Sequence, residues 1–436
     1  MDTYSDTLQK IYNLRGGVID LRLDRMHRAL ALFNNPQNTF SAIHIAGTNG
    51  KGSTAAMLHC ILERSGYRPA LYTSPHLVSF TERIRIGAAQ ITENEVVAIA
   101  QDIWRETARV DVSLTFFEFI TVMAFIYFAR QHSEIAVIEV GLGGRLDATN
   151  VITPLVSTIT TIAKDHEAYL GPDELSIAGE KAGIIKPQVP VVIGKVTEEV
   201  ADLLQNIARE RQSPAYSLGS DFSFSLKDDR LFDYRGIKRN YFGLELALLG
   251  RHQKSNAAIA LAALELIRER FPVSESAVRE GLRQVRWPGR LEVLVEHPTV
   301  ILDGAHNPEG VRALVDELKA FRQGRRLKLL FAAMVDKEWE LMLRSLAKSV
   351  DEIVFTRVGM ERSADPKNLE EKLSEPIPHC VITDSQQALR ALIEHAEDSD
   401  VIIVAGSLYL LGEVRPMLDQ IAKAKAAASS RANASC

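Results

Sequence analysis

Read for its apolar and polar positions alone, the chain alternates short apolar runs with amphipathic stretches. Residues 39–46 (TFSAIHIA) are β-branched and aromatic-rich and run straight into a glycine cluster at Gly47, Gly50 and Gly52. Met57, Leu58, Ile61 and Leu62 then recur at helical spacing, and Gly66 stands where a helix stops. A strand followed by a helix is predicted there. Further apolar runs at 70–73, 135–140, 156–162 and 189–193 have the continuous character of buried parallel strands. Helical patterns lie between most of them, which predicts an α/β sheet covered on both faces.

A second alternation begins after Trp287-Pro288-Gly289-Arg290, with strands expected at 300–302, 327–331, 352–355, 380–382 and 401–404. Amphipathic stretches at 311–321 and 386–395 separate them, the pattern of a smaller doubly wound domain. The boundary is expected around 290–298, giving domains at 1–292 and 293–422. The Ala-, Ser- and Lys-rich stretch 423–436 has no apolar periodicity and is expected to fray.

Charge and cysteine content narrow the partners. Lys plus Arg number 51 and Asp plus Glu 56, a formal charge of −5 with no block of one sign. A nucleic-acid or anionic-membrane binder wants a basic surplus, so neither partner is expected. Cys60, Cys380 and Cys436 are odd in number and far apart, which supports neither a disulfide framework nor a cysteine-rich zinc site. The first residues lack the regions of a secretory signal, and the longest apolar run, 119–129, falls short of the roughly 18 residues a membrane span needs. A cytoplasmic location is expected.

Candidate chemistry gathers where strands end. The segment GTNGKGST at 47–54 follows a strand and opens a helix, so successive backbone N–H groups and the positive helix end face one point that suits phosphate. Lys51 can reach the β and γ phosphates, and Ser53 or Thr54 can offer a hydroxyl to Mg²⁺. The segment departs from GxxxxGK[ST]: Ile45 occupies the first glycine position and Gly52 separates lysine from hydroxyl. A plain glycine-rich turn is the alternative. Glu139 ends a buried strand and needs a partner, either Mg²⁺ at the sheet edge or nearby glycine amides. His76 in YTSPH and His166 in AKDH end two more strands, where each can equally cap or pack. Lys181 and Lys186 in EKAGIIKP read, from spacing alone, as lysines at a helix end. Asp303, His306 and Asn307 end a strand ahead of a helix from Pro308, and Ser407 has the same placing; a ligand edge and a fold requirement both fit.

The motifs stand in a fixed order: GTNGKGS at 47–53, YTSPHL at 72–77, FFEF at 116–119, EVGLGGRLDATN at 139–150, KDH at 164–166, EKAGIIKP at 180–187, WPGR at 287–290 and LDGAHNP at 302–308. So ordered, over about residues 10–420, the chain resembles the folylpolyglutamate synthases and dihydrofolate synthases of the Mur ligase superfamily. The resemblance implies a P-loop, parallel-sheet ATPase domain followed by a Rossmann-like α/β domain. It implies ATP binding by Gly47, Thr48, Asn49, Gly50, Lys51, Gly52, Ser53, Asn256, Arg290 and Asp303. Ser74, Glu139 and His166 match magnesium positions, for two Mg²⁺, and Lys181 matches a lysine that the superfamily carbamylates. Asn13, Leu14, Arg15, Thr115, Phe116, Phe117, Glu118 and Leu146 match pterin-binding positions, with Arg15 replacing a residue that is histidine in some relatives. His306 and Ser407 are the matching contacts for glutamate.

The implied reaction is the addition of L-glutamate to dihydropteroate or to a reduced folate through an acyl phosphate, with Lys51, Glu139, His166 and Lys181 catalytic and the second domain closing against water. Small-molecule substrates and a monomer are expected. A Mur-type ligase acting on a UDP-linked cell-wall precursor is the nearest alternative, which Phe116 and Phe117 disfavour. A GTPase-like switch is disfavoured by the lack of an NKxD motif.

Overall fold

The computed structural model describes residues 2–14 and 23–434. The chain divides into two compact units, Met1–Ala247 with His252–Arg286 and Leu248–Arg251 with Trp287–Cys436.

Unit 1 is built on eight strands: β1 (Ser41–Ala46), β2 (Ala70–Tyr72), β3 (Ile84–Ile86), β4 (Ala89–Gln90), β5 (Ile135–Glu139), β6 (Val156–Thr161), β7 (Val191–Lys195) and β8 (Ala215–Ser217). Their order is β4-β3-β2-β5-β1-β6-β7-β8. The run from β2 to β8 is parallel, and β3 and β4 add an antiparallel edge that the sequence reading did not anticipate. Every residue of β1 and β5 is buried, which is why both read as unbroken apolar runs. Register sets Ile45 opposite Glu139 and Ala46 opposite Ile159, so the loops after β5, β1 and β6 leave one edge side by side.

The helices that matter for the site are α1 (Tyr4–Asn13), α2 (Asp24–Ala31), α3 (Lys51–Arg64), α4 (Glu93–Arg109) and α5 (Phe116–Arg130). The predicted stop of α3 is observed: Ser65 closes it and Gly66 follows at φ +89°. Residues 118–128 of α5 are all buried, a helix apolar on every side and therefore enclosed on every side. It packs with Tyr72, Ala136 and Ile138 in one core, while Ile159, Val191 and Ile193 belong to a second core with Ile177 and Leu204. At roughly 1.5–3 kcal/mol for each large apolar side chain, these cores fix the strands whose ends carry the polar groups.

A second sheet of unit 1, β9 (Ser223–Leu226), β10 (Leu231–Arg235) and β11 (Asn240–Glu245), is an antiparallel meander. It escaped the sequence reading because only Phe232, Tyr234, Tyr241 and Leu244 are buried among exposed polar positions. Glu265 anchors it, accepting from the Tyr234 hydroxyl (2.8 Å) and from the Lys238 and Arg239 N–H groups (2.6 and 3.0 Å).

Unit 2 holds β12 (Glu292–Glu296), β13 (Thr299–Leu302), β14 (Leu327–Phe331), β15 (Glu352–Arg357), β16 (His379–Asp384) and β17 (Val401–Ala405) in the order β12-β13-β17-β14-β15-β16. All are parallel except the edge strand β12. The residues after β13 and β17, Asp303 and Gly406, thus leave neighbouring strands. The final helix, Leu408–Ala434, takes in residues 423–434, where fraying was expected; its Ala and Lys content favours helix without an apolar stripe. Among the described residues no helix is long and apolar enough to cross a membrane.

Candidate active site

The loop after β1 is shaped by contacts that leave no room for side chains. Gly47 has φ +150°, and a Cβ there would lie 1.9 Å from Thr160 Oγ1; Gly50 has φ +86°, and a Cβ there would lie 2.4 Å from Asn256 Oδ1. Asn256 is therefore seated on the loop, and its Nδ2 donates to Gln253 Oε1 at 3.0 Å. Neighbouring strand β6 ties the loop down. Thr48 N–H donates to Thr161 O at 2.8 Å, Asn49 N–H to Thr161 Oγ1 at 3.0 Å, and Thr160 Oγ1 to Asn49 O at 2.6 Å. Gly52 and Ser53 lie in the first turn of α3, whose N-terminus begins directly at the loop.

Two lysines converge on this loop from separate parts of the sequence. Lys51 Nζ donates to the carbonyls of Gly47 (2.8 Å) and Thr48 (3.0 Å). Lys181, only 4% exposed, donates to the same Gly47 carbonyl at 3.1 Å. Burial lowers the Lys181 pKa to about 7, the Lys51 charge pushes it the same way, and Asp165 and Asp147 oppose both. From spacing alone Lys181 reads as a lysine at a helix end; the fold makes it a buried amine with a substantial neutral fraction near pH 7.

Glu139 closes β5 at 4% exposure, and its Oε2 accepts the Ser74 N–H at 3.0 Å, so two of the expected magnesium positions are adjacent. The third, His166, sits at the start of the short helix Glu167–Leu170 in left-handed conformation, φ 53°, with Nε2 3.9 Å from Asp165 Oδ1. Among the described residues no three His, Cys, Asp or Glu side chains gather closely enough to hold a metal alone. One carboxylate and one hydroxyl suit an ion of the Mg²⁺ kind, which takes its remaining ligands from phosphate and water; the imidazole is a softer donor than such an ion prefers.

Asp147 is a residue of this site that the sequence reading passed over. Its Oδ2 accepts from Gly141 (3.0 Å) and Leu142 (2.9 Å), and its Oδ1 from Thr149 N–H (3.0 Å) and the Thr149 hydroxyl. Burial raises its pKa, against the pull of these donors. Thr149 gives its only hydroxyl proton to Asp147, so buried His44 donates to it from Nε2 (2.8 Å) and is neutral, its pKa pushed down to about 3 by burial. The chain His44–Thr149–Asp147 thus fixes the turn that follows Glu139. The same turn is locked to the lysine motif: Arg145 N–H donates to Glu180 O (2.8 Å), and a Cβ on Gly144 would meet Glu180 O at 2.8 Å. The signal was present as an Asp two residues before a Thr, a short capping turn within RLDATN.

On the expected pterin side, Thr115 caps α5 in a reciprocal box with Glu118, whose Oε2 accepts the Thr115 N–H at 2.7 Å. Glu118 also pairs with Arg25, so its carboxylate serves the helix start. Phe116 lies 5.8 Å from the Tyr12 ring, and Phe117 packs on Gly141, where a Cβ would lie 2.3 Å from the ring. Phe117 is thereby brought to the turn after Glu139, so that two successive motifs of the chain meet. Asn13 ends α1, Leu14 caps it, and Leu146 is half-buried. Arg15 lies outside the described residues.

In unit 2, Asp303 accepts from the Leu291 N–H and the Ala305 N–H, both at 2.9 Å; burial raises its pKa and the Arg290 guanidinium opposes this. A Cβ on Gly304 would lie 2.1 Å from Arg290 Nη1, so the glycine admits the arginine. His306 donates from Nδ1 to Gly304 O (2.8 Å), while buried Ser407 accepts the Tyr409 N–H (3.2 Å). His306 and Ser407 follow β13 and β17, which are hydrogen-bonded neighbours.

A phosphate-shaped loop with two lysines and a strand-end carboxylate in one unit, followed by a parallel α/β unit with its own strand-end polar groups, defines an ATP-dependent ligase of the Mur type. Residues 45–264 match the Mur ligase middle domain and residues 289–408 the Mur ligase glutamate ligase domain. The chain is 34% identical over 408 residues to the dihydrofolate synthase/folylpolyglutamate synthase of Bacillus subtilis, covering 91% of this chain and 94% of that one. Its fold is similar to that of Escherichia coli FolC in complex with DHPP and ADP, at TM-score 0.87, 32% identity and coverage of 96% and 98%. It is equally similar to the bifunctional folylpolyglutamate synthase/dihydrofolate synthase of Yersinia pestis complexed with AMPPNP and Mn ion, at TM-score 0.87, 33% identity and coverage of 96% and 98%. The chain belongs to the dihydrofolate synthase/folylpolyglutamate synthase family of Mur ligases.

Proposed function

We propose that this enzyme joins L-glutamate to dihydropteroate, to a reduced folate, or to both, through an acyl phosphate, in the cytoplasm and as a monomer. The observation that carries the reading is Phe117 packed on Gly141, two residues beyond Glu139. It supports the reading because it sets an aromatic side chain beside the strand end to which this reading assigns phosphate and metal.

A carboxylate is a poor electrophile until one of its oxygens becomes a leaving group. The substrate carboxylate attacks the γ-phosphorus of ATP, breaking its bond to the bridging oxygen and releasing ADP, and the neutral amine of glutamate then attacks the acyl carbon, expels phosphate and gives up a proton. The loop amides and α3 N-terminus bind the phosphates, and Lys51 swings from the Gly47 and Thr48 carbonyls to the transferring group. Ser74, Glu139 and His166 would hold the divalent cations, which supply neutralisation of phosphate charge. Lys181 is suited to carbamylation because its buried amine is available neutral near pH 7. Asn256, Arg290 and Asp303 serve as nucleotide contacts, Asn13, Leu14, Arg15, Phe116, Phe117 and Leu146 as pterin contacts, and His306 and Ser407 as glutamate contacts. Thr115 and Glu118 shape the pterin side.

The test is ADP release by the purified enzyme with ATP, Mg²⁺ and glutamate, comparing dihydropteroate with tetrahydrofolate and weighing the products by mass spectrometry. A product heavier by one glutamyl residue with either acceptor is expected. Turnover with neither, and with a UDP-linked precursor instead, would overturn the reading.

A further inference from the structure

Two arginines of unit 1, Arg25 and Arg28, have no part in the chemistry above. Arg25 and Arg28 are three residues apart on α2 and so share a face. Arg25 reaches Glu118 Oε1 from Nε at 3.1 Å and from Nη2 at 2.9 Å, across 93 residues of sequence. Arg28 Nη2 donates to the Val110 carbonyl at 2.9 Å. The connection from α4 to α5 is therefore gripped at both ends by one face of α2.

The grip bears on the aromatic side chains at the start of α5. Glu118 is 5% exposed, and its oxygens are shared between the Arg25 fork and the Thr115 N–H. A buried carboxylate so satisfied fixes the direction in which the first turn of α5 leaves its cap. Phe116 and Phe117 are that first turn. Their seats, Phe116 on Tyr12 and Phe117 on Gly141, depend on the angle of the helix start to within the width of a ring contact.

We propose that Arg25 is a positioning residue for the pterin substrate: through Glu118 it sets the first turn of α5, so that Phe116 and Phe117 meet the substrate's ring system without Arg25 touching it. This rests on the pterin reading of the preceding subsection.

Steady-state kinetics of the full chain test it with Arg25→Met, Arg25→Lys and Glu118→Gln. Losing a charge-assisted pair of this kind raises the KM for dihydropteroate about tenfold in Arg25→Met, while the KM values for ATP and glutamate stay where they are. Lysine offers a point charge in place of a fork, so Arg25→Lys falls between wild type and Arg25→Met, and it carries the test should Arg25→Met fail to fold. The double variant Arg25→Met/Glu118→Gln is no worse than the sum of its parts and falls short of it, because the two act as one pair. An unchanged dihydropteroate KM in a folded variant, or equal changes for all three substrates, would overturn the positioning role while leaving the substrate reading intact. Wild-type enzyme without pterin-dependent turnover would overturn the substrate reading itself.

Discussion

Replacing Lys181 with Met should make the enzyme inactive and, at acid pH, more stable. The amine is 4% exposed, with one hydrogen bond to Gly47 O at 3.1 Å. Burial, aided by Lys51, brings its pKa to about 7 from the ordinary 10.5. Below pH 7 folded and unfolded chains both carry the proton, and the cost of burying the cation is fully present. Between pH 7 and 10.5 the unfolded chain binds more protons, so wild-type stability rises with pH and the cost fades. At about 1.36 kcal/mol per pH unit that interval corresponds to about 5 kcal/mol, from which the lost hydrogen bond subtracts about 1. Lys181→Met should therefore exceed wild type by roughly 3–4 kcal/mol at pH 6, with the gap closing as pH climbs toward 10.5. Urea unfolding at several pH values in carbonate-free buffer, alongside ADP release, measures both effects. Bicarbonate added near pH 8 should stabilise wild type alone, since only a neutral lysine forms a carbamate that binding to the native state can reward. A variant less stable than wild type at pH 6, a gap that ignores pH, or undiminished turnover would refute the reasoning.

Lys51→Ala should abolish ADP release and leave the far-UV circular dichroism unchanged, because its Nζ donates to the Gly47 and Thr48 carbonyls of the loop itself. Gly50→Ala forces a Cβ to 2.4 Å from Asn256 Oδ1 at φ +86°, so the left-handed strain alone costs about 1–2 kcal/mol; a thermal melt should show the loss and kinetics a raised KM for ATP. Asp147→Asn keeps the shape but turns an amide donor toward donors from Gly141, Leu142 or Thr149. A loss of about 2–4 kcal/mol in urea unfolding is expected, with a fall in kcat as the turn after Glu139 loosens.

The parallel core was legible because its strands are buried on both faces and read as unbroken apolar runs, as β1 and β5 show. The meander β9–β11 was not, since a half-exposed sheet with a bulge between Phe232 and Tyr234 spreads its apolar residues too thinly to stand out. In the site, Gly47 to Ser53 announced themselves by local sequence, because a phosphate loop needs its glycines in one short segment. Lys181 did not: its unusual amine arises from packing against Gly47, 134 residues away, and spacing shows only two lysines near a helix end. Arg25 carries no local signal at all, for its meaning is Glu118, which only the fold brings near. Asp147 lay in plain view within RLDATN, yet its work is done on the backbone N–H groups of Gly141 and Leu142, which a reading of side chains overlooks.

In the proposed reaction ATP activates the substrate's own carboxylate. Dihydropteroate labelled with oxygen-18 in that carboxylate, turned over with ATP and glutamate, tests it in one step through the phosphorus-31 spectrum of the released phosphate. One labelled oxygen is expected in each phosphate formed, because the attacking oxygen leaves with the phosphoryl group. Unlabelled phosphate, with amide formation undiminished, would contradict it.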